Sequence, residues 1–293
     1  MHGWLILDKP YGLGSTQAVS AVKRCLRDAG VPKTKIGHGG TLDPLAHGVL
    51  PVALGEATKL AGRMLDSDKI YDFTLKFGEQ TDTLDAEGQV IATSDVRPAR
   101  EGVEAVLARF RGPIEQMPPA FSALKVDGRR AYDLARAGEE VVLQPRAVTI
   151  HALDLITHDG ESATFTAAVS KGTYIRSLAR DIALAAGTVG HVTMLRRTKA
   201  GPFTLEQAIP LDKLQEAARE RGIGQYMLPL TAGLDDIPAL PVTPAEAGAL
   251  RQGRVLVGNP RRQGLMLAME GETPVALVEG TGPEIKVVRG FNL

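Results

Sequence analysis

Residues 37–55 read GHGGTLDPLAHGVLPVALG. One carboxylate, Asp43, stands between Leu42 and Pro44 in a segment rich in glycine. Pro44 disfavours helical torsions at Asp43 and holds it in an extended or turn conformation. Gly37, Gly39 and Gly40 permit unusual torsions and let another backbone or a ligand come close. Leu42 and Leu45 can anchor the loop in a core, which directs Asp43 into a cleft. The competing reading is an Asx-Pro turn, in which Asp43 only bonds its own backbone.

Working outward, WLILDK reads as a short strand and YGLG as a turn. Ser15 or Thr16 can cap a helix whose Ala18, Val19, Val22, Leu26 and Ala29 recur at helical spacing, with Gly30 ending it. EATKLAGRML and EGVEAVLARF suit helices, and YDFTLKFG suits a strand. VTIHALDLI and SATFTAAV form a strand pair around the turn THDGE. TYIRSLARDIALAAG is an amphipathic helix stopped by Gly187, and HVTMLRRT is a further strand. Helices and strands mix without regular alternation, which predicts an α+β fold rather than a doubly wound parallel sheet.

Residues 116–146 open on paired prolines and carry many cations, as an inserted surface element would. Prolines cluster again at DDIPALPVTP, as at a linker. From about Ala239 the apolar runs are short and punctuated by glycine, which suits a small β-barrel-like domain.

The chain has 293 residues, 44% of them hydrophobic, and 34 acidic against 34 basic groups. That is ample for a buried core in roughly two domains. The N-terminal apolar run is too short for a signal peptide or a membrane span. Cys25 is the single cysteine, which rules out an intrachain disulfide and a Cys-rich zinc site. A cytoplasmic enzyme or binding protein is the expectation. Within the neutral total, Lys171, Arg176, Arg180, Arg196, Arg197 and Lys199 face one acid, Asp181, while residues 66–104 lean acidic. The first group can serve a polyanion, or be an ordinary solvated face.

No G-x-S-x-G, Walker A, G-x-G-x-x-G or H-E-x-x-H pattern is present. A zinc deaminase needs P-C-x-x-C, which one cysteine cannot supply.

The segment GHGGTLDPLAHGVLPVALGEATK resembles the catalytic signature of the TruB family, bacterial synthases that make pseudouridine 55 in the T-arm of tRNA. LDKPYG before it, DKIYDFTLKFGEQTDTLDAEG after it, and SKGTYIRSLARDIA with GHVTMLRRTKAGPF are similar to further family stretches, in the same order. PPAFSALKVDGRRAYDLARAGE is similar to the RNA-gripping thumb. The likeness spans residues 3–235, and the tail is weakly similar to an RNA-binding PUA domain. It implies a mixed, largely antiparallel sheet flanked by helices, a catalytic domain over 1–235 with a thumb at about 116–146, and a PUA-like domain over 239–293.

The resemblance also implies a reaction. The N1–C1′ bond of a flipped uridine breaks, the uracil turns, and C5 joins C1′. No group is donated and nothing is oxidised, so no cofactor is implied. Asp43 is the implied catalytic group, either as a nucleophile or as the base that removes the ribose 2′ proton. Arg176 matches the arginine that pairs with it. Tyr71 matches the aromatic that stacks on the base, and Tyr174 and Leu195 match residues lining the pyrimidine pocket. His38 matches a histidine that enters the T-loop, and Lys59 a cation near the active-site loop. The implied partner is the T-arm stem-loop of tRNA, with no membrane, no obligatory protein partner and a monomer. Three positions depart from the pattern: Gly14-Ser15-Thr16 stands where Thr-Ser is usual, Phe121 replaces a tyrosine, and His47 replaces a smaller residue.

Two rivals accompany this reading. A tRNA folding factor would grip through the basic patch, thumb and tail. A glycoside hydrolase would need a second acid beside Asp43, for which Asp85 is the nearest candidate.

Overall fold

The computed structural model describes every residue except 123, 127, 128, 132, 133, 135, 136, 138–142 and 258–262. The chain opens with strand β1 (Gly3–Lys9), helix α1 (Ser15–Asp28), strands β2 (Ile36–His38) and β3 (Ala46–Leu54), helix α2 (Ala61–Asp66) and strand β4 (Lys69–Phe77). A hairpin of β5 (Glu79–Thr81) and β6 (Val90–Thr93) leads to α3 (Arg100–Leu107) and β7 (Gly112–Gln116). Two-residue strands β8 (Lys125–Val126) and β9 (Arg129–Arg130) precede β10 (Arg146–His158), β11 (Ser162–Val169), α4 (Ile175–Ala185) and β12 (Gly190–Ala200). Then come β13 (Phe203–Thr204), β14 (Ile209–Pro210), α5 (Leu211–Arg219) and β15 (Met227–Leu228).

The main sheet runs β14-β1-β3-β12-β4-β11-β10-β7. Its β3–β12 and β1–β14 pairs are parallel and the other pairs on this path are antiparallel, so the sheet is mixed and largely antiparallel, as expected. Strand side chains alternate between faces. In β1, Leu5 and Leu7 pack beneath α1 with Leu50 and Val52, while Trp4 and Ile6 pack on the opposite face with Val49 and Ala53. Burial on both faces explains why WLIL is apolar at every position. Phe73, Leu75 and Phe165 meet α3 and α4 in a separate core.

A second sheet, in the order β16-β18-β19-β20-β17, is built from β16 (Ala239–Pro241), β17 (Leu256–Val257), β18 (Gly264–Glu270), β19 (Thr273–Thr281) and β20 (Glu284–Gly290). It shares a core with the first: Leu267, Leu277 and Phe291 pack in the cluster that holds Trp4 and Ile6. A helix, α6 (Pro244–Arg251), was not expected here. Its signal lies in TPAE, where Thr243 caps the Glu246 N–H at 3.3 Å and Pro244 starts the helix.

Other departures are local. Gly14, not Ser15 or Thr16, is the N-cap of α1, and Gln17 Oε1 accepts from its N–H at 3.0 Å. EATKLAGRML divides into a 3-10 stretch, Gly55–Leu60, and α2. Much of the thumb-like segment, about 116–146, lies outside the described residues.

Candidate active site

Strand pairing brings the site together. Parallel pairing of β3 with β12 sets Leu195 opposite Ala46, directly after the Asp43 loop. Antiparallel pairing of β12 with β4 sets Arg197 opposite Tyr71. The loop is tied down on both sides of Asp43. Ser15 Oγ accepts from the Leu42 N–H at 2.7 Å and donates to the Leu42 carbonyl at 2.9 Å. The Gly12 N–H and the buried Lys9 ammonium both donate to the Pro44 carbonyl, at 2.8 and 3.4 Å. Leu42 is buried, as expected, while Leu45 is half-buried. Gly40 sits at φ +134 and a Cβ on Gly39 would lie 2.4 Å from Met64; Gly37 meets neither constraint.

The Asp43 carboxylate reaches outward, not back to its own backbone. Its Oδ2 lies 2.9 Å from Arg176 Nη2, and this guanidinium is only 6% exposed. Arg176 also donates to the carbonyls of Thr83 at 2.8 Å and Phe121 at 2.9 Å. Its Nη1 stands 3.5 Å from Asp85 Oδ2. One buried cation is therefore flanked by two carboxylates. Asp85 does make the turn its sequence suggests, accepting from Thr83 Oγ1 at 2.6 Å and the Glu87 N–H at 3.0 Å, and still offers its second oxygen to Arg176. Leu84, at φ 63, takes a left-handed conformation uncommon outside glycine. A buried guanidinium held by charge-assisted bonds is fixed in orientation, and loss of one carboxylate would leave the other as its sole counter-charge.

Asp43, Tyr71, Tyr174, Arg176 and Leu195 line one cavity of about 340 Å³, together with Lys69 and Arg197. Both of these cations are buried and bonded to carbonyls: Lys69 to Met64 and Leu65 at 2.8 and 2.7 Å, Arg197 to Val49, Thr41 and Gly40 at 2.8, 3.3 and 3.1 Å. Burial pushes the Tyr174 hydroxyl above the usual phenol range, so it stays protonated at neutral pH. His38 lines a second cleft, of about 570 Å³, on which Asp43 also borders. Burial lowers the His38 pKa, and its Nδ1 is buried with no hydrogen-bond partner among the described residues.

Lys59 is not in this group. Its ammonium sits 2.6 Å from Glu56 Oε2 and donates to the Gly290 carbonyl at 2.8 Å, while Glu56 accepts from the Asn292 N–H at 2.8 Å. These bonds tie the end of the second sheet to the 3-10 turn Gly55–Leu60. The cations of residues 171–199 are also largely committed. Lys171 meets Asp66 at 3.0 Å, Arg180 meets Asp181 at 2.8 Å and Arg196 meets Asp8 at 3.0 Å, with Arg176 and Arg197 buried as described.

Ser15, Lys9 and Gln116 escaped the sequence reading as parts of the site. Gln116 clamps the backbone of Tyr174 with its amide, from β7. Only Ser15 carried a local signal, a hydroxyl beside a helix start, and that signal pointed to capping.

Among the described residues no group of three His, Cys, Asp or Glu side chains is placed to hold a metal ion, and no helix is long and apolar enough to cross a membrane. Residues 27–175 match the TruB family pseudouridylate synthase N-terminal domain, and residues 176–235 match the tRNA pseudouridylate synthase B C-terminal domain. The chain is 63% identical over 292 residues to tRNA pseudouridine synthase B of Zymomonas mobilis, covering 100% of this chain and 96% of that protein. It is 64% identical over 298 residues to the protein of that name from Novosphingobium aromaticivorans, covering 100% of this chain and 98% of that one. Among solved structures, a chain of an H/ACA RNP bound to a substrate RNA containing 2′-deoxyuridine superposes with TM-score 0.75 at 26% identity, covering 99% of this chain and 85% of that one.

Proposed function

The chain belongs to the TruB family of pseudouridylate synthases, and from that premise we propose that it isomerises uridine 55 in the T-arm loop of tRNA. The observation that carries the reading is the ion pair between Asp43 and the buried Arg176 at the wall of a cavity that also holds Tyr71, Tyr174 and Leu195. A flipped uracil fits the chemistry of these walls. Tyr71 supplies a ring face, a contact worth about 1–3 kcal/mol for a stacked base. Leu195 offers an apolar side, and protonated Tyr174 a hydroxyl. His38 and the second cleft stand on another side of Asp43, where the loop that gave up its uridine would lie.

Asp43 acts on the sugar. As a nucleophile it takes C1′ as the N1–C1′ bond breaks, and the ester is later displaced by C5. As a base it removes the 2′ proton and returns it. In both courses C5 ends bonded to C1′, the C5 proton is lost, N1 gains a proton, and the composition is unchanged. Arg176 keeps the carboxylate ionised and aimed. A kinetic isotope effect from deuterium at the ribose 2′ position separates the two: it is primary when Asp43 is the base and small when it is the nucleophile.

Residues 1–235 constitute the catalytic domain on this reading, the segment at about 116–146 a thumb over the RNA, and residues 239–293 a PUA-like RNA-binding domain. The test is to incubate pure protein with an unmodified tRNA transcript and map pseudouridine. A single site at position 55 without additives is the expected result. Modification elsewhere, or release of free uracil, overturns it.

A further inference from the structure

RNA backbone needs cations, and those of residues 171–199 are mostly spent on carboxylates and carbonyls within the chain. A group of uncommitted ones lies on α1 and the turn after it. Lys23, Arg24, Lys33 and Lys35 are exposed, and among the described residues none pairs with a carboxylate. Arg27 meets only its neighbour Asp28, at 3.5 Å, with both side chains largely in water; such a pair contributes little.

These side chains border a depression made of adjoining clefts, the first of which includes Asp43. The cleft beside Asp43 shares Thr16 and Gln17 with a groove of about 660 Å³ between α1 and α5. That groove shares Ser20 and Arg24 with a third, of about 510 Å³, lined by Lys23, Arg27 and Lys33. Thr16, Ser20 and Arg24 follow at four-residue intervals, as do Lys23 and Arg27, so each set lies along one stripe of the helix. Arg219 of α5 adds a cation on the opposite wall, and Asp28 is the acid that lines the middle groove.

We infer that this depression is a second contact for substrate RNA, in which the sugar–phosphate backbone leading away from the uridine lies along α1 against Lys23, Arg24, Arg27 and Lys33. The inference rests on the proposed function for its substrate class. Small polar residues at the near end let a backbone approach, and the cations at the far end neutralise phosphates. Such contacts set affinity and register and carry no sequence information.

The test replaces Lys23, Arg27 and Lys33 together with alanine, which removes three exposed charges and preserves helix propensity on α1. Binding of unmodified tRNA by wild-type and variant protein is measured across a salt series, beside the KM for pseudouridine formation. Each lost phosphate contact lowers the slope of log K against log salt by about 0.7–0.9. The expected variant has a slope shallower by about 2, an affinity at low salt about ten-fold weaker or more, and a raised KM. An unchanged slope and KM, with wild type fully active, overturns the groove alone. A wild type that forms no pseudouridine in tRNA overturns the proposed function instead.

Discussion

Gln116 holds Tyr174 by both ends of its side-chain amide: Oε1 accepts from the Tyr174 N–H at 2.8 Å, and Nε2 donates to the Tyr174 carbonyl at 3.1 Å. The last residue of β7 thus adds one rung of sheet-like bonding to the residue before α4. That rung fixes where Tyr174 enters the cavity and where Arg176, two residues on, begins its reach to Asp43. Gln116 is 1% exposed, and the Tyr174 carbonyl also accepts from the Leu178 N–H at 3.0 Å.

Gln116→Leu leaves the Tyr174 N–H without its partner while the carbonyl keeps the Leu178 bond, and is expected to cost about 1–3 kcal/mol and to lower turnover as well. Gln116→Glu keeps the acceptor and loses the donor, and should fall between the two. Urea unfolding beside single-turnover rates measures this. Equal turnover in all three proteins would show that the clamp is only scaffolding.

Ser15 is the corresponding support for Asp43. Ser15→Ala removes both bonds to Leu42 and leaves that backbone open, a loss of about 0.5–1.5 kcal/mol per bond. Because the loop loses its aim and not its charge, the rate of the chemical step should drop more than affinity for tRNA. A variant whose KM rises at constant kcat would contradict this.

Lys9 makes stability depend on pH in a defined direction. Its ammonium is fully buried, and burial lowers its pKa from 10.5 to about 8, against the pull of Asp43. From about pH 8 up to the ordinary lysine range the unfolded chain holds more protons than the folded one, so this residue's contribution to stability rises with pH across that window. Lys9→Met removes the contribution. The difference in unfolding free energy, wild type minus variant, should grow between pH 8 and 10 and be flat below; a difference that shrinks with pH would refute the assignment.

Lys59→Met should act on the second sheet. It cuts the bonds to Glu56 and the Gly290 carbonyl, while Leu267, Leu277 and Phe291 keep their shared core. Limited proteolysis should cut the variant faster near residues 235–242, with the cavity residues unaffected. Unchanged cleavage would mean that the apolar core alone fastens the sheet.

What was legible follows from range. WLILDK and HVTMLRRT read as strands because period and composition are local properties. Asp43 and Arg176 were readable through the motifs around them, and the structure pairs them. Ala46–Leu54 escaped as a strand because Gly48 and Pro51 interrupt its pattern. Arg197 sits in a run of cations that looks solvated, yet it is buried on three carbonyls that only the fold brings near. Gln116 had no local signal at all, since its partner lies 58 residues away. The same cause moved Lys59 from the expected site to the contact between sheets.

The most direct measurement is pseudouridine yield at position 55 of an unmodified tRNA transcript with Asp43→Asn, read beside binding of the same transcript. The neutral amide keeps the shape of the side chain and removes the charge that Arg176 holds. No detectable pseudouridine over many wild-type turnover times, with the variant still binding the RNA, is the expected result. Isomerisation that continues in that variant would contradict it.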